Sequence, residues 1–164
     1  MPHDPAFSEW ISPHLPALRR LSRAFAASAD QADLLQELLI AVWRAWPAFR
    51  GESLPATFIY RVAHNRALTW KRRESLRLLR LFETQREGLQ QLLPEPPDAR
   101  LDQVFDALRA LPPLDRSLML LWLEQTPYAD MAALHGLSES HIGVRLNRAR
   151  ARLATLVQEL SDED

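Results

Sequence analysis

Cysteine is absent from the 164 residues. That excludes disulfides and thiolate metal sites, and it fits a reducing compartment. Glycine is scarce, at 4. Leucine, alanine, arginine and glutamate dominate instead, which favours helices over a strand-rich sandwich or barrel. No apolar run approaches the ~18 residues of a membrane span, so no membrane insertion is expected. The opening MPHDPAFSEW has no basic segment followed by an apolar stretch, and so lacks the form of a secretory signal. A cytoplasmic protein is expected. Catalytic patterns are missing too. His3, His14, His64, His135 and His141 make no H-E-x-x-H spacing. There is no G-x-S-x-G, no phosphate-binding glycine loop and no clustered catalytic carboxylates. An enzyme is not expected, nor is a metal or a cofactor. His64 and His141 read as outward-facing positions rather than ligands.

Neither sign of charge prevails: Lys and Arg number 20, Asp and Glu 21. The distribution is less even. Residues 1–80 carry 12 basic against 7 acidic side chains, and residues 101–164 carry 6 against 10. Four of those six cluster as Arg145, Arg148, Arg150 and Arg152. An acidic segment with one basic stripe still meets phosphates locally. Apolar residues make up 47% of the chain, enough for a packed core rather than a disordered chain.

Periodicity predicts an all-α chain. Trp10, Ile11, Leu15, Leu18, Leu21 and Phe25 mark a helix over 7–27, with Pro13 and Pro16 breaking its start. Leu34, Leu35, Leu38, Leu39, Val42, Trp43 and Trp46 mark a second over 30–46, capped by Ser28 or Asp30 and ended by Pro47. After the loop Phe49, Arg50, Gly51, Glu52, Ser53, Leu54, a long helix is expected over 55–81, with Pro55 in its first turn. Residues 83–100 include LPEPPDAR and show no periodicity, so they read as a flexible linker. Four shorter helices follow, over 101–110, 113–124, 127–135 with Thr126 as cap, and 138–158. The chain is thus expected to form two small helical domains, 1–82 and 101–164.

The segment TPYADMAALHGLSESHIGVRLNRARARL has the outline of a helix-turn-helix. Tyr128, Met131, Ala132 and Leu134 are expected to face the core. Gly136 falls where the turn needs positive φ, Leu137 plugs the core beneath it, and Ser138 caps the second helix. Ile142, Leu146, Ala149, Leu153 and Leu156 recur at alternating spacings of four and three, as a buried stripe does. The opposite face holds Ser140, His141, Val144, Arg145, Asn147, Arg148 and Arg152, and arginine and asparagine suit base edges and phosphates. Two amphipathic helices with a soluble surface would show the same pattern. In the first half, Arg61, Asn65, Arg72 and Arg73 lie among Phe58, Tyr60 and Trp70. Basic residues interleaved with aromatics suit unpaired bases, though Phe58 and Trp70 individually fit a core better.

Taken in order, these strings resemble a known family. DLLQELLIAVWRAWPAFRGESLPATFIYRVAHNRAL resembles the second conserved region of the extracytoplasmic-function (ECF) group of bacterial sigma factors. LRALPPLDRSLMLLWLEQTPYADMAALHGLSESHIGVRLNRARARL resembles their fourth region. The resemblance implies a transcription initiation factor with core RNA polymerase and promoter DNA as partners, and an anti-sigma factor as regulator. It implies docking on polymerase by Asp33, Gln36, Glu37 and Trp43. It implies minus-ten recognition by Phe49, Arg50, Gly51, Glu52, Ser53 and Leu54, then Arg61, Asn65 and Arg66, with Lys71, Arg72 and Arg73 on phosphates. The helix-turn-helix is implied to read the minus-thirty-five element through Ser140, His141, Val144, Arg145, Asn147 and Arg148. The chain departs from the family where a basic residue and then Ser or Thr are usual, since Gly143 and Val144 stand there. Glycine costs a helix roughly 1 kcal/mol, and valine offers only its methyls, to a thymine methyl for instance. Either an unusual upstream element is therefore expected, or upstream recognition that relies more on Arg145, Asn147 and Arg148. Two other readings share parts of the pattern. A helix-turn-helix regulator acting without polymerase would need neither the DLLQE helix nor the basic one, and a protein-binding helical adaptor would not need Arg145 and Arg148.

Overall fold

The computed structural model describes residues 5–78 and 99–162. The chain divides into two compact units, Met1–Gln90 and Gln91–Asp164. Every regular element among the described residues is helical. The fold is therefore all-α, in two small helical bodies. The linker expected over 83–100 lies outside the described residues, apart from its last two positions, which open a helix.

In the first unit, α1 (Pro5–Ile11) and α2 (Leu15–Phe25) are separated by a 3-10 turn, Ser12–His14. Pro13 and Pro16 each sit in the first turn of the segment they open, so the expected break occurs. α3 spans Gln31–Ala45 and α4 spans Pro55–Leu78. The residues expected to continue that last helix, 79–81, lie outside the described residues. Neither Ser28 nor Asp30 caps α3 through its side chain. Instead a 3-10 turn, Ser28–Asp30, winds directly into the helix. Beyond α3 the chain tightens into a further 3-10 turn, Trp46–Ala48, rather than stopping at Pro47.

Helices α2, α3 and α4 pack against one another. Leu34, Leu38 and Val42 form one row four residues apart, and Ile59, Ala63 and Ala67 form another, all fully buried. Rows at this spacing are the ridges by which helices interlock. The alanines of α4 let the backbones approach, while Leu18, Leu21 and Phe25 of α2 close the core. Each fully buried Leu, Ile or Phe side chain contributes roughly 1.5–3 kcal/mol. The core explains two further placements. Phe58 belongs to it, and His64, expected to face outward, is buried. His64 follows Ala63 on the inner side of α4, so helical geometry turns it inward.

In the second unit, α5 (Ala99–Ala110), α6 (Pro113–Leu123) and α7 (Tyr128–His135) all pack on α8 (Glu139–Asp162). Phe105, Leu108, Leu118, Leu121 and Met131 meet Ile142, Leu146 and Ala149 in its core. The corner between α5 and α6 is held by a buried cation. Arg116 Nε donates to the Leu108 carbonyl at 3.0 Å, and Nη2 donates to those of Leu111, at 2.9 Å, and Arg109. Carbonyls at a helix C-terminus have no partner within the helix, and a guanidinium suits both their geometry and their partial charge.

α6 and α7 end alike. The Thr126 amide donates to the Leu121 carbonyl, with Gln125 in the left-handed region at φ +58°. The Leu137 amide donates to the Ala132 carbonyl, with Gly136 at φ +66°. This is the closing bond of a Schellman-type end, and glycine fills the left-handed position without strain. Thr126 does not cap α7. Pro127, in extended conformation, is its N-cap residue, and the Pro127 carbonyl accepts from the amides of Asp130 and Met131. Ser138 behaves as expected, its Oγ accepting from the His141 amide at 3.2 Å. α8 runs on past 158 to Asp162.

Candidate polymerase and DNA interfaces

On α3, Gln36 is exposed and Trp43 is 36% exposed. They stand seven residues apart, two turns along one face. Asp33 and Glu37 are half-buried. Glu37 does not point freely outward, because its Oε2 accepts from Arg66 Nε of α4 at 3.1 Å and from Arg66 Nη2. One residue expected to dock polymerase and one expected to touch DNA are thus partners of each other. Sequence spacing carried no signal for this, since the two lie 29 positions apart.

The loop between α3 and α4 divides in character. Phe49, at its start, packs on Trp10 at 5.4 Å and on Phe58 at 5.1 Å between ring centroids. Its ring is an anchor rather than an exposed stacking surface. Arg50, Gly51, Glu52 and Leu54 are exposed, Ser53 is half-buried, and Leu54 reaches 73%. Gly51 stands at φ +76°, a left-handed backbone that suits glycine. On α4, Arg61, Asn65 and Thr69 recur every four residues as an exposed stripe. Thr69 escaped the sequence reading, although its spacing from Asn65 would have found it. The Arg61 guanidinium lies over the Phe58 ring, 5.7 Å from its centroid. The side chains of Lys71, Arg72 and Arg73 lie outside the described residues.

In the second unit, Ser140, His141, Val144, Asn147, Arg148 and Arg152 are exposed on α8, with Val144 at 48%. Arg145 differs. Its Nε donates to Asp115 Oδ1 of α6 at 2.8 Å, and Nη2 lies 2.7 Å from the same oxygen. Its guanidinium is therefore oriented by the protein itself. Arg150 is also engaged, stacked on Trp122 at 4.8 Å. Tyr128 is not a core residue. It is 40% exposed, and a Cβ added to Gly143 would meet its Cε2 at 3.6 Å. That is ordinary contact, so nothing in the packing requires glycine at 143. Leu134 and Leu137 are half-buried, with Met131 and Ala132 forming the inner side of α7.

His135 closes α7, with Nε2 3.3 Å from Ser117 Oγ. Burial pushes its pKa down from 6.5 to about 4. Among the described residues, no three His, Cys, Asp or Glu side chains are grouped as metal ligands would be. No described helix is long and apolar enough to cross a membrane.

Comparison with known proteins gives this arrangement its context. Residues 10–77 match sigma-70 region 2, and residues 101–153 match sigma-70 region 4. The RNA polymerase sigma factor NccH of Alcaligenes xylosoxydans xylosoxydans is 26% identical over 162 residues, covering 93% of this chain and 87% of that protein. The ECF sigma factor SigM of Mycobacterium tuberculosis is 26% identical over 162 residues, covering 95% and 79%. The ECF sigma-E factor of Escherichia coli K12 is 26% identical over 149 residues, covering 83% and 78%. Among solved structures, the sigma factor RpoE in complex with the anti-sigma factor NepR, from Bartonella quintana, superposes with a TM-score of 0.74 at 22% identity, covering 94% of this chain and 98% of that one. CnrH, in complex with the cytosolic domain of CnrY, gives 0.64 at 23% identity, covering 96% and 91%. With both regions present in order and relatives of one group along most of its length, the chain belongs to the ECF group of sigma-70-type factors, which join core RNA polymerase and direct promoter recognition and initiation.

Proposed function

We propose that the two units divide promoter recognition between them. Residues 1–82 form the body that docks polymerase and reads the minus-ten element. Residues 101–164 form the body that reads the minus-thirty-five element, with 83–100 as the connector. Asp33, Gln36, Glu37 and Trp43 dock on core polymerase. Arg50 to Leu54, with Arg61, Asn65 and Thr69, meet the minus-ten strand. His141, Val144, Asn147 and Arg148 enter the upstream major groove, with Arg145 held at its edge by Asp115.

The observation that carries this reading is that both helices of the packed α3–α4 pair present exposed side chains. Gln36 and Trp43 stand exposed on one helix, and the stripe Arg61–Asn65–Thr69 stands exposed on the other. Two macromolecules can therefore be held at once by one rigid helical pair. Strand opening then needs no bond-breaking. An unpaired base trapped outside the stack offsets a few kcal/mol of lost pairing. The protein acts by binding, not as an enzyme, and works in the cytoplasm where polymerase is. The anti-sigma complexes of its structural neighbours support an anti-sigma partner for this chain as well.

The test is transcription in vitro with purified core polymerase on a library of promoters. Initiation at a distinct set of promoters is expected, with Arg61→Ala and Arg148→Ala weakening minus-ten and upstream selection respectively. Folded, pure protein that never directs initiation would overturn the reading.

A further inference from the structure

We propose that Trp10 of α1 is a positioning residue for minus-ten recognition, holding both roots of the loop 49–54 so that the loop is set before DNA arrives. This rests on the reading of that loop as the minus-ten reader. The geometry is specific. The Trp10 ring lies 5.4 Å from Phe49, where the loop begins, and 6.3 Å from Phe58, in the first turns of α4 just after the loop ends. It also lies 6.1 Å from Trp46, in the turn that leads into the loop. Phe7 backs the arrangement at 6.1 Å from Trp10 and 5.4 Å from Trp46. One indole therefore touches the chain on both sides of the loop.

The cluster is unlike the core beside it. Leu34, Leu38 and Ile59 are fully buried, whereas Phe7, Trp10, Trp46 and Phe49 are only half-buried. It sits at the rim, next to the exposed residues Arg50, Gly51, Glu52 and Leu54. Its influence extends further, because Arg61 lies over the Phe58 ring. The same rings thus fix a loop and orient a cation that the minus-ten strand would meet. Two backbone bonds close the roots, from the Phe49 amide to the Trp46 carbonyl and from the Phe58 amide to the Leu54 carbonyl. A loop held in one shape loses less conformational freedom on binding, which raises affinity without adding a contact. Trp10 is the first residue of the region-2 match and Phe7 precedes it, so a segment at the edge of the family pattern shapes the loop within it.

The experiment uses the full chain in holoenzyme. Three quantities are measured for wild type, Trp10→Ala, Trp10→Leu and Trp10→Phe: affinity for core polymerase, capture of a single-stranded minus-ten oligonucleotide, and binding of an upstream duplex. Trp10→Ala is expected to weaken single-strand capture about tenfold, with the other two affinities within about twofold of wild type. Trp10→Phe restores most of the loss, because a ring remains. Trp10→Leu keeps apolar volume without a ring, and gives the same answer if the alanine variant does not fold. Unchanged single-strand capture in a folded Trp10→Ala or Trp10→Leu protein would overturn the proposal. So would equal losses in all three affinities, which mark general destabilisation. Leu54→Ala separates the two levels of inference. If it weakens capture and the Trp10 variants do not, only the positioning role fails. If neither Leu54→Ala nor Arg61→Ala affects capture, the loop is not the reader.

Discussion

Gln125 shows how much a single backbone angle can hold. It occupies the left-handed position that ends α6, at φ +58°, where Gly136 ends α7 in the same geometry at φ +66°. A side chain there is strained, and glycine is not. Replacing Gln125 by glycine is expected to stabilise the second unit by about 0.5–1 kcal/mol, seen as a higher midpoint in thermal unfolding. An unchanged or lower midpoint would show that the strain is relieved elsewhere. Residue-scale chemistry was partly legible in the sequence. Gly136 and Ser138 were found because turn and cap chemistry is local, acting within four or five residues. Thr126 misled because hydroxyl caps are common, yet Pro127 takes the N-cap place. Tyr128 misled because its spacing from Met131 allows an inward ring, whereas the chain leaves it beside Gly143 on the rim.

At the scale of elements, the helices were readable and their cross-links were not. Prolines at 13, 16, 47, 55 and 113 punctuate the chain, and apolar repeats of three and four fill the intervals. Those are properties of one helix at a time. The bonds between helices join distant positions: Glu37 to Arg66, Asp115 to Arg145, and Arg116 back to the end of α5. Arg66 and Arg145 looked like free cations because nothing near them in sequence neutralises them. Each instead has a carboxylate across a helix pair. A partly exposed pair such as Glu37–Arg66 contributes about 1 kcal/mol or less, so it orients more than it stabilises. Arg116 is different, being 2% exposed and donating to three carbonyls, of which that of Leu108 also accepts from the Leu111 amide. Arg116→Leu is expected to cost the second unit about 3 kcal/mol, because buried acceptors lose their donor. Urea unfolding measures this, and a loss below about 0.5 kcal/mol would show that water replaces the guanidinium.

At the scale of the whole molecule, the chain carries two cores, and the second holds a histidine that burial keeps from taking up a proton. His135 stays neutral in the folded second unit, its pKa lowered from 6.5 to about 4. As pH falls past 6.5 the unfolded chain takes up a proton that the folded chain accepts only near 4. Stability is therefore complete above about 6.5 and declines from there down to about 4. His135→Gln is expected to flatten that part of the stability–pH curve of the second unit. An identical slope in the variant would place the acid sensitivity in other groups. The two-body organisation was legible in composition and in the order of the two strings. The way His135 lies against Ser117 was not, because burial is a property of the assembled core.

The corner made by Arg116 and the seat of His135 lie in the same four-helix unit, and they answer acid in opposite ways. A guanidinium keeps its charge across the whole range in which proteins are folded. Its three carbonyls therefore stay bound while the histidine at the end of α7 begins to take up protons. The unit thus joins one acid-sensitive seat to one acid-indifferent corner. Acid acts at the seat of His135, against Ser117 of α6, and leaves the α5–α6 corner with its charge unchanged.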